Sequence, residues 1–329
     1  MKTSSPTSEQ ADRPRRAYDE LVERSPQGSV FAMSWWLEAV APGRWRTHLV
    51  EGDGAAVAAW PTVLRPGRWG DVHLGAPLTP YLGPILTAGE GVHRRSREIE
   101  QVELLVERLG RFAHVEARCN PAFDYWTPLH WHGFSQTTRY TWRLALADTE
   151  AVFAGARENV RREIRKARKA GLQVAEGSLD DYLRLHEQSA GRQGRVEEAR
   201  ANRPLIERIE AAAAERGART ILVARDEAGR VHSGAYFVHD HRWTYYLLGA
   251  SDTELRTSGA ASLVMWEAIE RTAVRGAAFD FEGSMLRPVE RFMRAWGGVP
   301  VPLSFVQRTP SRPFTAERSL RRAVRRVRR

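Results

Sequence analysis

Apolar and polar positions fall into the same order twice along the chain. Near the middle, Ile221-Leu-Val-Ala leads through an Asp/Gly turn into a second strand over 230–238, which is a hairpin signal. About 170 residues earlier, His48-Leu-Val-Glu-Gly-Asp-Gly leads into a strand over 55–63. A helix is predicted before each hairpin, over 34–40 and 205–216. Another follows each, over 95–109 and 262–271, the former with Ile99, Val102, Val106 and Leu109 on one face. The repetition points to a duplicated α/β unit. The junction is placed at 144–150. This divides the chain into a loose tail (1–25), a first lobe (26–150), a second lobe (151–308) and a basic tail (309–329).

Two helical patterns carry cations. Over 157–169, Val160, Ile164 and Ala167 lie on one side and Arg161, Arg162, Arg165, Arg168 and Lys169 on the others, with Gly171 as the stop. At the far end Leu320, Val324 and Val327 form a stripe among arginines, either a basic amphipathic helix or a disordered tail.

Composition narrows the class. The 329 residues fit two domains, and 42% hydrophobic content with 11 Trp and 11 Phe suffices for packed interiors. The single cysteine, Cys119, forms no internal disulfide and suits a reducing cytoplasm, the expected location. The first ten residues lack the apolar core of a signal peptide. The uncharged run 72–89 is broken by Pro77, Pro80 and Pro84, so no spanning helix is expected there. The net charge of +10 sits in two patches: 318–329 is +7 and 157–169 is +5, which leaves the remainder at −2.

The segment 243–298 carries the candidate chemistry. A strand (243–250) feeds a small-residue loop, Arg256-Thr-Ser-Gly-Ala-Ala261, which opens an apolar helix. Arg256, Gly259 and Ala261 match the pyrophosphate-binding turn of acyl-CoA N-acyltransferases. Small residues let a phosphate reach backbone N–H groups, and the cation meets its charge. A purely structural turn fits the same residues. In Phe279-Asp-Phe-Glu-Gly-Ser, alternation puts Asp280 and Glu282 on one strand face. They are either a general base or amine anchor, or an ion network with Arg287, Arg291 or Arg294. Tyr245 and Tyr246 face opposite ways, one toward core and one toward a cleft. His239 and His241 read as solvated turn residues and His186 as a surface or satisfied histidine. No metal-ligand spacing, nucleophile elbow or phosphate-cradling Walker loop is present, so no metal is expected.

These features resemble the FemAB/BioF2-like branch of the GNAT acyltransferase superfamily. The resemblance rests on Asn159-Val-Arg-Arg-Glu-Ile-Arg-Lys-Ala-Arg-Lys-Ala-Gly171, the hairpin over 224–249, the helix from Gly259, the 279–284 strand, and Glu290-Arg-Phe-x-x-x-Trp-Gly-Gly298. It covers about 152–306, with a fainter echo in Ser34-Trp-Trp-Leu and Pro77-Leu-Thr-Pro-Tyr-Leu-Gly-Pro84. It implies an α/β (α+β) fold of two tandem GNAT-like domains, each a mixed central sheet flanked by helices. It also implies transfer of an acyl or aminoacyl group to an amine, with acyl-CoA or aminoacyl-tRNA as co-substrate and no tightly bound cofactor. No lysine follows Lys169, and no long helical arm is present, so a cell-wall bridge substrate is not implied.

Aminolysis then assigns the parts. Backbone N–H groups near Leu248 and Gly249 would hold the carbonyl, and Arg256, Gly259 and Ala261 the donor phosphate. Glu282 or Asp280 would take the amine proton, and Tyr245 or Tyr246 would be the acid. Arg161, Arg162, Arg165, Lys166 and Lys169 are candidates for tRNA or phosphate contact. The Arg-rich tail is a candidate for nucleic acid or peripheral contact with anionic membrane. The alternative class is a non-catalytic GNAT-like adaptor that docks through that tail.

Overall fold

The computed structural model describes residues 8–87, 89, 91–283 and 285–318, with side chains from residue 13 onward. The chain forms two compact units, Met1–Arg139 with Pro302–Arg329, and Tyr140–Val301. The sequence placed the junction a few residues later and did not foresee the return of the C-terminal segment.

The first unit contains α1 (Ser8–Arg24), α2 (Ser34–Val40), β1 (Trp45–Gly52), β2 (Ala55–Arg65), β3 (Val72–His73), β4 (Ile85–Leu86), α3 (Arg94–Leu109), β5 (His114–Arg118) and α4 (Thr127–Trp131). The chain crosses between units along β6 (Ser135–Leu144). The second unit continues with α5 (Thr149–Gly155), α6 (Glu158–Lys169), β7 (Gln173–Glu176), α7 (Leu179–Arg192), α8 (Val196–Glu215) and β8 (Arg219–Arg225). Then come β9 (Val231–His239), β10 (Trp243–Ser251), α9 (Ala260–Val274), β11 (Ala278–Asp280) and α10 (Arg287–Arg294), before β12 (Val299–Arg308) returns to the first unit.

In the first unit β1, β2 and β3 run antiparallel, α3 crosses over, β5 lies parallel to β3, and β12 closes antiparallel to β5. The β1–β2 turn is two residues, Asp53 and Gly54, with φ of 52° and 78°. Positive φ at both centres matches the twist of the flanking strands, which is why an Asp-Gly pair makes this hairpin. Val102, Leu105, Val106 and Leu109 bury one face of α3 against Trp60 and Val115.

The expected loose tail ends well before residue 25. Tyr18, Leu21 and Val22 are buried on one face of α1, and the Tyr18 hydroxyl donates to the Ala32 carbonyl. Of the basic C-terminal segment, residues 312–318 are helical. The Arg-rich stretch from 319 lies outside the described residues.

The second unit repeats the plan. Strands β7, β8, β9 and β10 are antiparallel, α9 crosses over, β11 is parallel to β10, and β6 closes antiparallel to β11. Thus β1–β2–β3–α3–β5–β12 and β8–β9–β10–α9–β11–β6 are equivalent series. Each is a mixed sheet flanked by helices, the duplicated α/β architecture expected from the sequence. Ile164 of α6 and Ile269 of α9 pack with Phe237, Phe279, Phe281 and Trp296 in the core of this unit. No helix among the described residues is long and apolar enough to cross a membrane.

Two histidines are buried in neutral form. His73 has no exposed surface, and its Nδ1 lies 2.9 Å from the Val63 N–H. His239, expected as a solvated turn residue, is only 8% exposed. Burial brings each pKa down to about 4. Between that value and the unfolded value near 6.5, the unfolded chain binds more protons. The stabilisation is therefore present above about pH 6.5 and is lost as pH falls toward 4. Denaturant melts should show stability dropping over this window, by about 3 kcal/mol for His73 alone. In His73→Asn the slope of stability against pH should flatten; an unchanged slope would disprove the assignment.

Candidate active site

The site begins where two parallel strands separate. β10 and β11 pair only through Trp243–Ala278, Thr244–Phe279 and Tyr245–Asp280. β11 stops there, while β10 continues to Ser251. A bulge between Tyr246 and Leu248 shifts the β9 register and re-aims β10 at the same point. From Tyr246 onward, the β10 edge away from β9 has no neighbouring strand among the described residues. The opening is a cleft of about 410 Å³ whose lining includes Gly234, Tyr246, Gly249, Arg256, Ala261 and Phe292.

The amino end of α9 meets this cleft. Its N-cap, Gly259, has φ 85° and no side chain to cap the helix, Ser258 Oγ accepts from the Ala260 N–H at a long 3.4 Å, and no acid occupies the first turn. Its first N–H groups and the positive end of its dipole therefore favour an anion. Gly259 is required for a second reason: a Cβ there would fall 2.2 Å from the Glu163 carbonyl oxygen of α6. Lys166 braces the same turn by donating to the Thr257 carbonyl. Arg256 is exposed and lines the cleft beside Ala261.

Of the other cations of α6, Arg168 lies 4.0 Å from Glu270. Arg161 and Arg165 are held by Glu158, the former at 2.8 Å. Arg162 and Lys169 are exposed and make no ion pair among the described residues.

The two tyrosines part as alternation requires. The Tyr245 hydroxyl donates to Asp240 at 3.1 Å, and its side chain does not line the cleft. Tyr246 does line it, and its hydroxyl occupies the space beside Gly249, where a Cβ would lie 1.8 Å from the oxygen. Burial, and secondly the charge of Glu282, push its pKa up to about 12. The hydroxyl therefore stays protonated at neutral pH and can act as a proton donor. Leu248 and Gly249 pair with Tyr236 and Ala235 of β9, on the stretch of β10 whose other edge has no neighbouring strand among the described residues.

The carboxylates part as well. Asp280 is fully buried and accepts from Arg143 Nε at 2.9 Å, from the Glu282 N–H at 2.8 Å, and from Thr141. Arg143 also lies 3.9 Å from the centre of the Trp243 ring. An ion network was one of the two sequence readings, but its partner is Arg143 and not an arginine of α10; Arg294 instead pairs with Glu290. The expectation that Asp280 and Glu282 share one strand face fails because β11 ends at Asp280. Glu282 follows in a left-handed conformation (φ 59°) and is half-buried, close enough for its charge to act on Tyr246.

A smaller cavity of about 140 Å³ shares Ser189 and Gly249 with the cleft and is lined by His186, Glu198 and Asn202 among others. His186 stacks on Tyr182 with ring centroids 5.8 Å apart, and burial lowers its pKa, so it is a neutral base at pH 7. Sequence reasoning passed over it because nothing local places position 186 beside 249. Cys119 is wholly buried, its thiol pushed up to about 12 by burial, and is not available as a nucleophile.

Residues 154–292 match the family model of the acetyltransferase (GNAT) domain. Among solved structures, FemX aligns at 14% identity over 95% of this chain and 98% of its own, with a TM-score of 0.69. The C-terminal domain of a putative lysylphosphatidylglycerol synthetase from Agrobacterium fabrum aligns at 10% identity over 90% and 92%, TM-score 0.57. L-PGS from Bacillus licheniformis aligns at 12% over 92% and 94%, TM-score 0.53. The sequence has no significant match among curated proteins. Residues 154–292 are thus similar to the acetyltransferase (GNAT) domain, within a chain whose fold is like that of FemX.

Proposed function

We propose that the protein is an N-acyltransferase that moves an acyl or aminoacyl group from an activated donor to an amine, forming an amide. The observation that carries this reading is the splayed end of β10 and β11. It sets an unpaired strand edge, a helix N-terminus opened by Gly259, Arg256 and a protonated Tyr246 around one cleft. The α9 N-terminus, with Arg256, Gly259 and Ala261, receives donor phosphate. Backbone N–H groups at Leu248 and Gly249 donate to the developing oxyanion. The amine attacks the carbonyl carbon, its proton passes to Glu282, and Tyr246 returns a proton to the departing thiol or hydroxyl. Asp280 holds the strand end in place, and Tyr245 belongs to the core.

The donor is acyl-CoA or aminoacyl-tRNA, and the acceptor is a small-molecule or peptide amine. An acyl-CoA donor needs only the turn, and its binding should be nearly indifferent to neutralising Arg162 and Lys169. A tRNA donor should bind with steep salt dependence and weaken when those two are neutralised. Mass spectrometry and absorbance of the purified protein, looking for CoA or tRNA, give the first test. Glu282→Gln is expected to lower kcat by about 100-fold or more, with the melting temperature kept. His186→Gln should cost less than about 10-fold. The reverse ranking would transfer the base role to His186 and remove Glu282 from the chemistry.

A further inference from the structure

The first unit has its own cavity, of about 350 Å³, and its charge is unbalanced. On β5, Val115 and Ala117 point into the core while His114, Glu116 and Arg118 take the other face. β12 is in register, with Phe305 opposite Arg118 and Gln307 opposite Glu116, while Val306 is buried. Arg118, Glu116, Phe305 and Gln307 therefore form a floor. Arg139, Arg318 and the segment 74–82 complete the walls.

Such a face is ordinarily a solvated mixture of opposite charges. Here three guanidinium groups converge on one carboxylate, a formal surplus of two positive charges. Glu116 is already engaged, 3.4 Å from His114 Nε2 and 3.9 Å from Arg318. Neither Arg118 nor Arg139 makes a salt bridge or side-chain hydrogen bond among the described residues. Arg139 is pinned with its guanidinium 4.0 Å from the centre of the Phe305 ring and is half-buried. Burial first, then the charge of Arg118, bring its pKa down. Like charges held together in a concave, partly dry site favour a dianion that accepts from planar N–H forks. The volume exceeds that of a bare oxyanion, and Leu74, Ala76 and Leu82 add apolar wall.

We infer that this cavity of the first unit is a binding site for a phosphate dianion, free or as a phosphate monoester of a small molecule, held by Arg118 and Arg139. It shares no lining residue with the acyl-transfer cleft. The test is isothermal titration of the full chain with inorganic phosphate, glycerol 3-phosphate and succinate at constant ionic strength. Wild type should give saturable phosphate binding. Arg118→Ala and Arg139→Gln should each weaken it about tenfold or more, and Arg200→Ala, which removes a surface partner of Glu197 on α8, should leave it unchanged. Arg118 is exposed, so its substitution keeps the test valid if Arg139→Gln fails to fold. Tighter binding of glycerol 3-phosphate marks an ester as the ligand, and tighter binding of inorganic phosphate marks the free ion; either supports the site. Absence of saturable binding, loss of it only in Arg256→Ala, or succinate binding as tightly as phosphate would overturn it.

Discussion

Replacing Tyr246 with phenylalanine is expected to lower kcat by about 100- to 10,000-fold, the usual range for a lost acid catalyst. The ring keeps its neighbours, since Phe237 and Phe292 lie 5.8 and 6.4 Å away by ring centroids. The change removes one oxygen from a cleft wall and leaves no cavity of consequence, so the melting temperature should hold. With its pKa near 12, the hydroxyl is protonated at any working pH. Phenylalanine thus removes a donor, not a base. Steady-state rates with one amine acceptor, beside a thermal melt, decide the matter. A variant as fast as wild type would strip Tyr246 of its role and return it to packing.

Asp280→Ala has the opposite profile. It removes the acceptor of Arg143, Thr141 and the Glu282 N–H at once, and leaves Arg143 with 14% of its side chain exposed. Breaking such a pair from one side costs about 3–5 kcal/mol, because the remaining cation is poorly solvated. Denaturant titration should show this loss. Asp280→Asn should recover part of it by keeping two of the hydrogen bonds. A variant of wild-type stability but no activity would reinstate Asp280 as a group of the reaction.

Much of the fold was legible in local pattern. The two hairpins, α2 and the amphipathic α3 and α6 follow from alternation, turn residues and helical spacing, and the duplication follows from their order. What failed was non-local. α1 carries only a few apolar positions among charges, and its docking against Ala32 is not written in its own segment. Asp280 meets Arg143 across 137 positions of chain, so the neighbouring arginines of α10 were the natural but wrong partners. The end of β11 after three residues breaks a Phe/carboxylate alternation that reads like a longer strand. His239 sits beside a turn in sequence, yet it is the last residue of a buried strand. At the site, the small-residue turn was legible because glycine at Gly259 answers a local need. The choice between Tyr245 and Tyr246 depended on which sheet face the cleft would take.

The path of the chain through β12 has a consequence for the order of manufacture. The first unit draws its closing strand from residues that leave the ribosome only after those of the second unit, Tyr140–Val301. Until then β5 has a bare edge over 115–118, with unpaired N–H and C=O groups open to other chains. The second unit is continuous in sequence and receives its closing strand, β6, at its start. Synthesis therefore delivers the second unit whole, while the lobe translated first must wait, half finished, for the other to be made.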